Sequence, residues 1–252
     1  MFKGRQDINL GDLTNFIIEQ RNIGSVITQS HEDQEEDVLD EGHIFGIGTI
    51  IRLTQTESPL ATQIKEYLVR IAESSRQQRL SNFLNAENRI GFIISERIEN
   101  IPPQISVPLY ETLFNEVKKA KAKNLPFDFT HYILLSRCLK PREGSDEEEG
   151  KIFYVNAEEE VFCEKSDMVI PVRQEPEEDV QQRKNDEGSR SRAGEPIIDI
   201  EDLEYFICSK ILIFSADKAD MFVNKITELL PYWAVRKVFL FQKVFNVLLV
   251  NK

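Results

Sequence analysis

Apolar residues recur at helical spacing early in the chain. Leu10, Leu13, Phe16 and Ile17, with Gln20, share one face, and Asn9 ahead of them suits an N-cap. This predicts a helix ended by Gly24, followed by a strand over 25–28. Phe45, Ile47, Thr49, Ile51 and Leu53 alternate, as strand residues do. Leu60, Ile64, Tyr67, Leu68 and Ile71 return to helical spacing, and the helix is expected to run on towards Leu84. Residues 89–98 are apolar on both faces and predict a central strand covered on each side. Ile101-Pro102-Pro103 forces an extended corner. Ser106 is the expected cap of the next helix, with Pro108 in its first turn and Leu109, Tyr110, Leu113, Phe114, Val117 and Ala120 as its buried stripe.

Residues 131–139 read as a second two-sided strand, and 151–155 with 161–164 as a hairpin across 156–160. Strands over 168–172 and 207–214 follow, then a helix capped by Ser215 with Asp217 in its first turn and Phe222, Ile226, Leu229 and Leu230 facing inward. The order predicts an α+β fold: one domain over 1–230, with a mixed, mostly antiparallel central sheet flanked by helices. Residues 231–252 stand apart as a C-terminal tail, in which Trp233, Phe239, Phe241 and Phe245 are interrupted by Arg236, Lys237 and Lys243.

The chain has 252 residues and a net charge of -12. Residues 30–41 carry seven acids and 143–149 carry five, neither with a base, so these two stretches account for the whole excess. Blocks of like charge resist packing and are expected to be loops. Residues 173–196, rich in Pro, Gly, Ser and Gln, read as a polar insertion. Such charge argues against nonspecific nucleic-acid binding and is suited either to solvated, solubilising loops or to a basic partner. No apolar run is long enough to span a membrane. Cys138, Cys163 and Cys208 are odd in number and far apart, which argues against a disulfide framework or a zinc site; they are expected to pack in or near strands as small apolar residues.

Motifs for hydrolase, P-loop, zincin and EF-hand chemistry are absent. His31, Glu35 and His43 would suit a metal, but acidic-loop composition accounts for them without one, and no cofactor is expected. Arg21-Asn22-Ile23-Gly24-Ser25-Val26 partly matches an acyl-CoA pyrophosphate loop, but it follows a helix and precedes a strand, the reverse of what phosphate binding needs. Gly46-Ile47-Gly48, a lone G-x-G in a strand, is weak evidence.

Several segments together resemble the BCCIP/Bcp family of eukaryotic nuclear proteins. The most specific runs from Ile90 to Tyr110: an apolar strand, Ser95-Glu96-Arg97, an Asn-containing link, Pro102-Pro103-Gln104, and a helix bearing Pro108-Leu109-Tyr110. His131 to Arg137, Asn156 to Phe162, Asn22 to Ile27 and Asp217-Lys218 also fit. The family has an acidic stretch where 30–41 stands here. The family's acidic N-terminal tail and first strand have no counterpart located here, and 231–252 departs from its short tail, as an added amphipathic helix, a lineage-specific tail or a gene-model error.

The resemblance implies a fold like the GNAT acyltransferases without their activity. In that fold the cofactor-binding turn joins a central strand to the next helix. Here that turn is 99–106, where Pro102 and Pro103 offer no N–H and glycine is absent. It further implies a nuclear chaperone or adaptor, shuttling to the cytoplasm, that binds basic clients such as a large-subunit ribosomal protein and supports their transport and ribosome biogenesis. A lipid kinase is a further implied partner. Direct nucleic-acid binding is not expected. On this reading Glu32, Asp33, Glu35, Glu36, Asp37, Asp146, Glu147, Glu148 and Glu149 contact the client, while Ser95, Glu96, Arg97, Pro102, Pro103, Gln104, Pro108 and Tyr110 are structural. Ser145, with Glu148 three residues on, fits acidophilic phosphorylation. The alternatives are a CoA-dependent acyltransferase and an assembly factor docking through an apolar surface.

Overall fold

Alternation along the central strands divides the interior into two cores, one on each face of a single sheet. The computed structural model describes residues 8–28, 44–53, 58–98, 101–141, 152–173 and 205–233. The elements are α1 (Leu10–Glu19), β1 (Ser25–Thr28), β2 (Ile44–Arg52), α2 (Pro59–Ile71), α3 (Gln77–Asn85), β3 (Ile90–Arg97), α4 (Ser106–Ala122), β4 (His131–Pro141), β5 (Phe153–Tyr154), α5 (Glu159–Lys165), β6 (Met168–Pro171), β7 (Tyr205–Ser215) and a last helix, α6, over residues 219–233. The sheet order is β1-β2-β3-β4-β7-β6, with β5 added on β4. Every pairing is antiparallel except β3 with β4. The α+β class and the mixed, mostly antiparallel sheet therefore stand as expected.

Strand residues of one parity, Ile51, Phe92, Ile94, Ile133, Leu135, Ile211 and Ile213, pack against α2 and α3. Those of the other, Ile50, Ile93, Tyr132, Leu134, Leu212 and Phe214, pack against α4, α5 and α6. A strand apolar on both faces can fill two cores only from the middle of a sheet, which is where β3, β4 and β7 lie. The stripe of α4 is buried as predicted, from Leu109 to Ala120. Gly48 serves packing, because a Cβ there would lie 2.6 Å from Leu109 Cδ1.

Local departures have local causes. Asn9 caps α1 as expected, accepting from the N–H groups of Gly11 and Asp12, but the helix stops at Glu19 and Leu10 is exposed. Gln20 then leaves helical geometry so that its amide can donate to Ile23 O, Thr49 Oγ1 and Ile50 O. Gly24 follows at φ +137°, where an added Cβ would meet Thr49 Oγ1 at 2.9 Å. The long helix expected over 60–84 is two helices. Ala72 bridges Val172, and the Glu73 N–H donates to Pro171 O, so the chain is drawn into an extended link before α3. Ser106 is the first helical residue rather than the cap, and its hydroxyl donates to Pro103 O at 2.6 Å. Ser215 makes no side-chain cap bond; its backbone N–H donates to Asp167 Oδ2.

The hairpin expected over 151–164 is overturned. Only Phe153–Tyr154 pairs as a strand, and 159–165 form α5, with Glu158 and Glu159 buried at its start and Val161 and Phe162 in the core. Cys163 thus lies on a helix, while Cys138 and Cys208 lie on strands as expected. α6 continues past Leu230 through 233, and Trp233 is buried. The acidic stretches, residues 174–196 of the insertion, Ser145, the His31/Glu35/His43 group and the tail beyond 233 lie outside the described residues. No helix among the described residues is long and apolar enough to cross a membrane.

Candidate functional site

The parallel pairing of β3 and β4 runs only from Ile90↔His131 to Ile93↔Leu134. Beyond it the two strands part, and β5 takes the free edge of β4 at Cys138 and Leu139. The opening is filled by the start of α5. The Glu159 carboxylate accepts from Ser136 Oγ at 2.6 Å, from the Arg137 backbone N–H at 3.2 Å and from Asn156 Nδ2 at 2.7 Å. It thus satisfies a β4 donor that β3 no longer reaches. Glu158 sits beside it and accepts from Arg97 Nη2 at 2.6 Å, both side chains being shielded from solvent. On the other face of the sheet Glu96 and Arg137 pair at 2.7 Å and stay partly exposed.

Of the eight motif residues, the structure brings three together on one face of the sheet. Ser95 and Arg97 project from β3 beside Tyr110 of α4, and Glu96 meets Arg137 behind them. Pro103 is buried in the turn before α4, whereas Pro102, Gln104 and Pro108 face solvent. Burial pushes the Tyr110 phenol well up, reinforced by the charges of Glu158 and Glu159. For Arg97 burial works downward, but the Glu158 carboxylate outweighs it and the guanidinium is raised. Sequence reasoning missed Ser136, Asn156, Glu158 and Glu159. A usable signal was present: Glu158, Glu159 and Glu160 directly precede Val161-Phe162, an acidic first turn ahead of an apolar pair.

Burial raises Glu159 to about 7, against three donors that pull it down. Its ordinary value is 4.5, so between there and 7 the folded state holds a proton that the unfolded chain has lost. Stability from this group is complete below 4.5 and is lost as pH rises through 7, about 3 kcal/mol in all. Glu159→Gln, neutral at every pH, should therefore gain on the native protein from pH 5 to pH 8. Urea unfolding at several pH values measures this, and a constant difference between the two proteins would show that Glu159 does not titrate in this window.

At the opposite end of the sheet a cavity of about 500 Å³ opens between α4 and β4, lined by Phe127, Phe129, Tyr132 and Ala216. Its cations are engaged: Lys118 with Asp220 at 2.5 Å and Lys121 with Asp128 at 2.6 Å. His131 Nδ1 lies 3.0 Å from Thr130 Oγ1. Among the described residues no group of His, Cys, Asp and Glu is arranged to hold a metal.

The BCCIP family model matches residues 1–205. A BCCIP homolog of Drosophila melanogaster is 35% identical over 174 residues, covering 64% of this chain and 58% of the fly protein. The BRCA2 and CDKN1A-interacting protein of Bos taurus is 34% identical over 174 residues, covering 63% and 57%. The chain thus spans a little over half the length of these relatives. The crystal structure of BCP1 from Saccharomyces cerevisiae has the same fold, with a TM-score of 0.52 at 16% identity, over 92% of this chain and 81% of that one. With the family model matched over more than half its length, the chain belongs to the BCCIP family.

Proposed function

We propose that this chain is a non-enzymatic binding protein that captures basic protein clients through its acidic stretches and escorts them between nucleus and cytoplasm. The client class that fits best is a Lys/Arg-rich large-subunit ribosomal protein, which ties the activity to ribosome biogenesis. One observation carries the reading. Residues 30–41 lie between β1 and β2, and 143–149 between β4 and β5. Thr28 pairs with Ile44, β2 begins opposite the end of β3, and β4 ends beside that same end because it runs parallel to β3. The described residues bordering both stretches therefore stand at one end of the sheet, and the sequence of the two stretches carries the entire -12. A single-signed field of this kind attracts and orients an oppositely charged partner. The names of mammalian relatives, interacting proteins of BRCA2 and CDKN1A, support a partner-binding role.

The acyltransferase reading has less support. On a GNAT-like reading of the sheet, phosphate would bind at the turn between β3 and α4. Pro102 and Pro103 lack N–H groups there, and the N–H groups of Ile105 and Ser106 are spent on Pro102 O and Pro103 O. The opening between β3 and β4 is filled by Glu158 and Glu159.

The test is association kinetics with a Lys/Arg-rich ribosomal protein. Changing Glu147, Glu148 and Glu149 to Gln, and separately Glu32, Asp33, Glu35, Glu36 and Asp37 to amides, should slow association about tenfold at low salt and flatten its salt dependence. Unfolding should shift by less than about 0.5 kcal/mol. Unchanged association for both variants at low salt would overturn the electrostatic reading.

A further inference from the structure

The three cysteines, far apart in sequence, meet at the end of the sheet that borders the acidic stretches. Cys138 on β4 and Cys208 on β7 are direct cross-strand partners. Both have the parity of Leu134 and Leu212, so they face α5, from which Cys163 projects. Lys210, two residues beyond Cys208, reaches Cys163 Sγ at 3.7 Å and the Tyr154 hydroxyl at 3.0 Å. A cation therefore stands among three thiols, in the setting that favours thiolate.

Backbone geometry brings the first two within bridging distance. The Arg137 carbonyl accepts from Val155 N–H and so faces β5, while the Ser209 carbonyl accepts from Val172 N–H and so faces β6. Successive carbonyls alternate along a strand, so the backbone groups of Cys138 and Cys208 point at each other. Such a hydrogen-bonded antiparallel pair has its Cα atoms about 5.5 Å apart, inside the roughly 4.4–6.8 Å range of disulfides, and its Cβ atoms about 5 Å apart, so closing the bridge draws the two side chains together by about 1 Å.

From this placement we infer that Cys138 and Cys208 form a reversible disulfide when the protein meets a peroxide. The division of labour follows from the surroundings. Hydrogen bonding from Cys138 lowers Cys208 to about 7, helped by Lys210 and Lys140, whereas the same contact and burial push Cys138 up. Cys208 is partly exposed and Cys138 fully buried, so the oxidant reaches Cys208 first. The Cys208 thiolate attacks the peroxide, the O–O bond breaks, and a sulfenic acid forms on Cys208 with release of hydroxide. The Cys138 sulfur then attacks the sulfenic sulfur. An S–S bond forms, the S–O bond breaks, and the Cys138 proton leaves with the departing hydroxide as water. With hydrogen peroxide, two thiols are oxidised and one peroxide is reduced to two waters. A dithiol restores both thiols by exchange.

The experiment uses the full native chain, reduced and then treated with stepwise hydrogen peroxide. Remaining thiols are alkylated, and the unreduced digest is mapped by mass spectrometry. The expected result is a peptide joining Cys138 to Cys208, short by two hydrogens, with Cys163 alkylated and the link reversed by dithiothreitol. Cys163→Ser should form the same link, and Cys208→Ser should leave Cys138 as free thiol. The inference fails if all three cysteines of the native chain are alkylated after peroxide. It equally fails if Cys208 becomes a sulfinic acid while Cys138 stays free, or if the link joins Cys208 to Cys163.

Discussion

Arg97→Met is expected to lower folding stability by about 3–5 kcal/mol, the usual cost of removing one member of a buried ion pair. The substitution leaves the Glu158 carboxylate shielded from solvent, beside a second buried acid, Glu159, with its cation gone. The pair itself contributes far less than that loss suggests. Among the described residues, Arg97 Nη1 and Glu158 Oε1 are buried without a hydrogen-bond partner, so part of the desolvation cost is never recovered. Arg97→Met combined with Glu158→Leu should consequently regain most of the stability. Urea unfolding of the two single variants and the double variant closes the cycle. If the double variant is as unstable as the sum of the singles, the two side chains do not act as a pair.

The central strands were legible because β3 and β4 are apolar at successive positions, and only a strand covered on both faces needs that pattern. The stripe of α4 was legible for the complementary reason: seventeen residues give a helical period room to repeat. α5 offers only seven, and over that length Val161-Phe162 fits a strand as well as a helix turn. What decides its state is the opening between β3 and β4, created by strand pairing that no local pattern encodes. The break between α2 and α3 has a similar origin, since Ala72 and Glu73 are held by Val172 and Pro171, about a hundred residues away.

The site divides the same way. Charge is additive along a sequence, so the two acidic stretches stood out at once; that the described residues bordering them share one end of the sheet did not, because it depends on the single parallel pairing of β3 with β4. Ser95, Glu96 and Arg97 were noticed as a motif, but the meaning of Arg97 lies in Glu158, 61 positions away. The cysteines looked isolated because their spacings of 25 and 45 residues match no metal or disulfide pattern. Cross-strand register and side-chain parity, both properties of the folded sheet, bring them together.

Trp233→Ala should cost about 3–5 kcal/mol, comparable to other large-to-small changes at filled core sites. Trp233 is 1% exposed and belongs to the core formed by α4, α5 and α6. Its indole N–H lies 3.3 Å from Glu160 Oε2, so the ring fills space and also ties α6 to the helix that plugs the sheet. The sequence reading sets it in a separate tail because residues 231–252 depart from the family's short tail and their apolar positions are interrupted by Arg236, Lys237 and Lys243. Ending the chain after Leu230 removes the same side chain and should destabilise by a similar amount. Trp233→Phe, which keeps most of the ring, should lose less. Asn224→Ala, on the exposed side of the same helix, should change stability by less than about 1 kcal/mol. As Trp233 is the only tryptophan, its fluorescence can follow unfolding of the native protein and the Asn224 variant, while circular dichroism serves those that lack it. A truncation after Leu230 with native stability would show that the domain closes without Trp233, and the core contact would then be incidental to the fold.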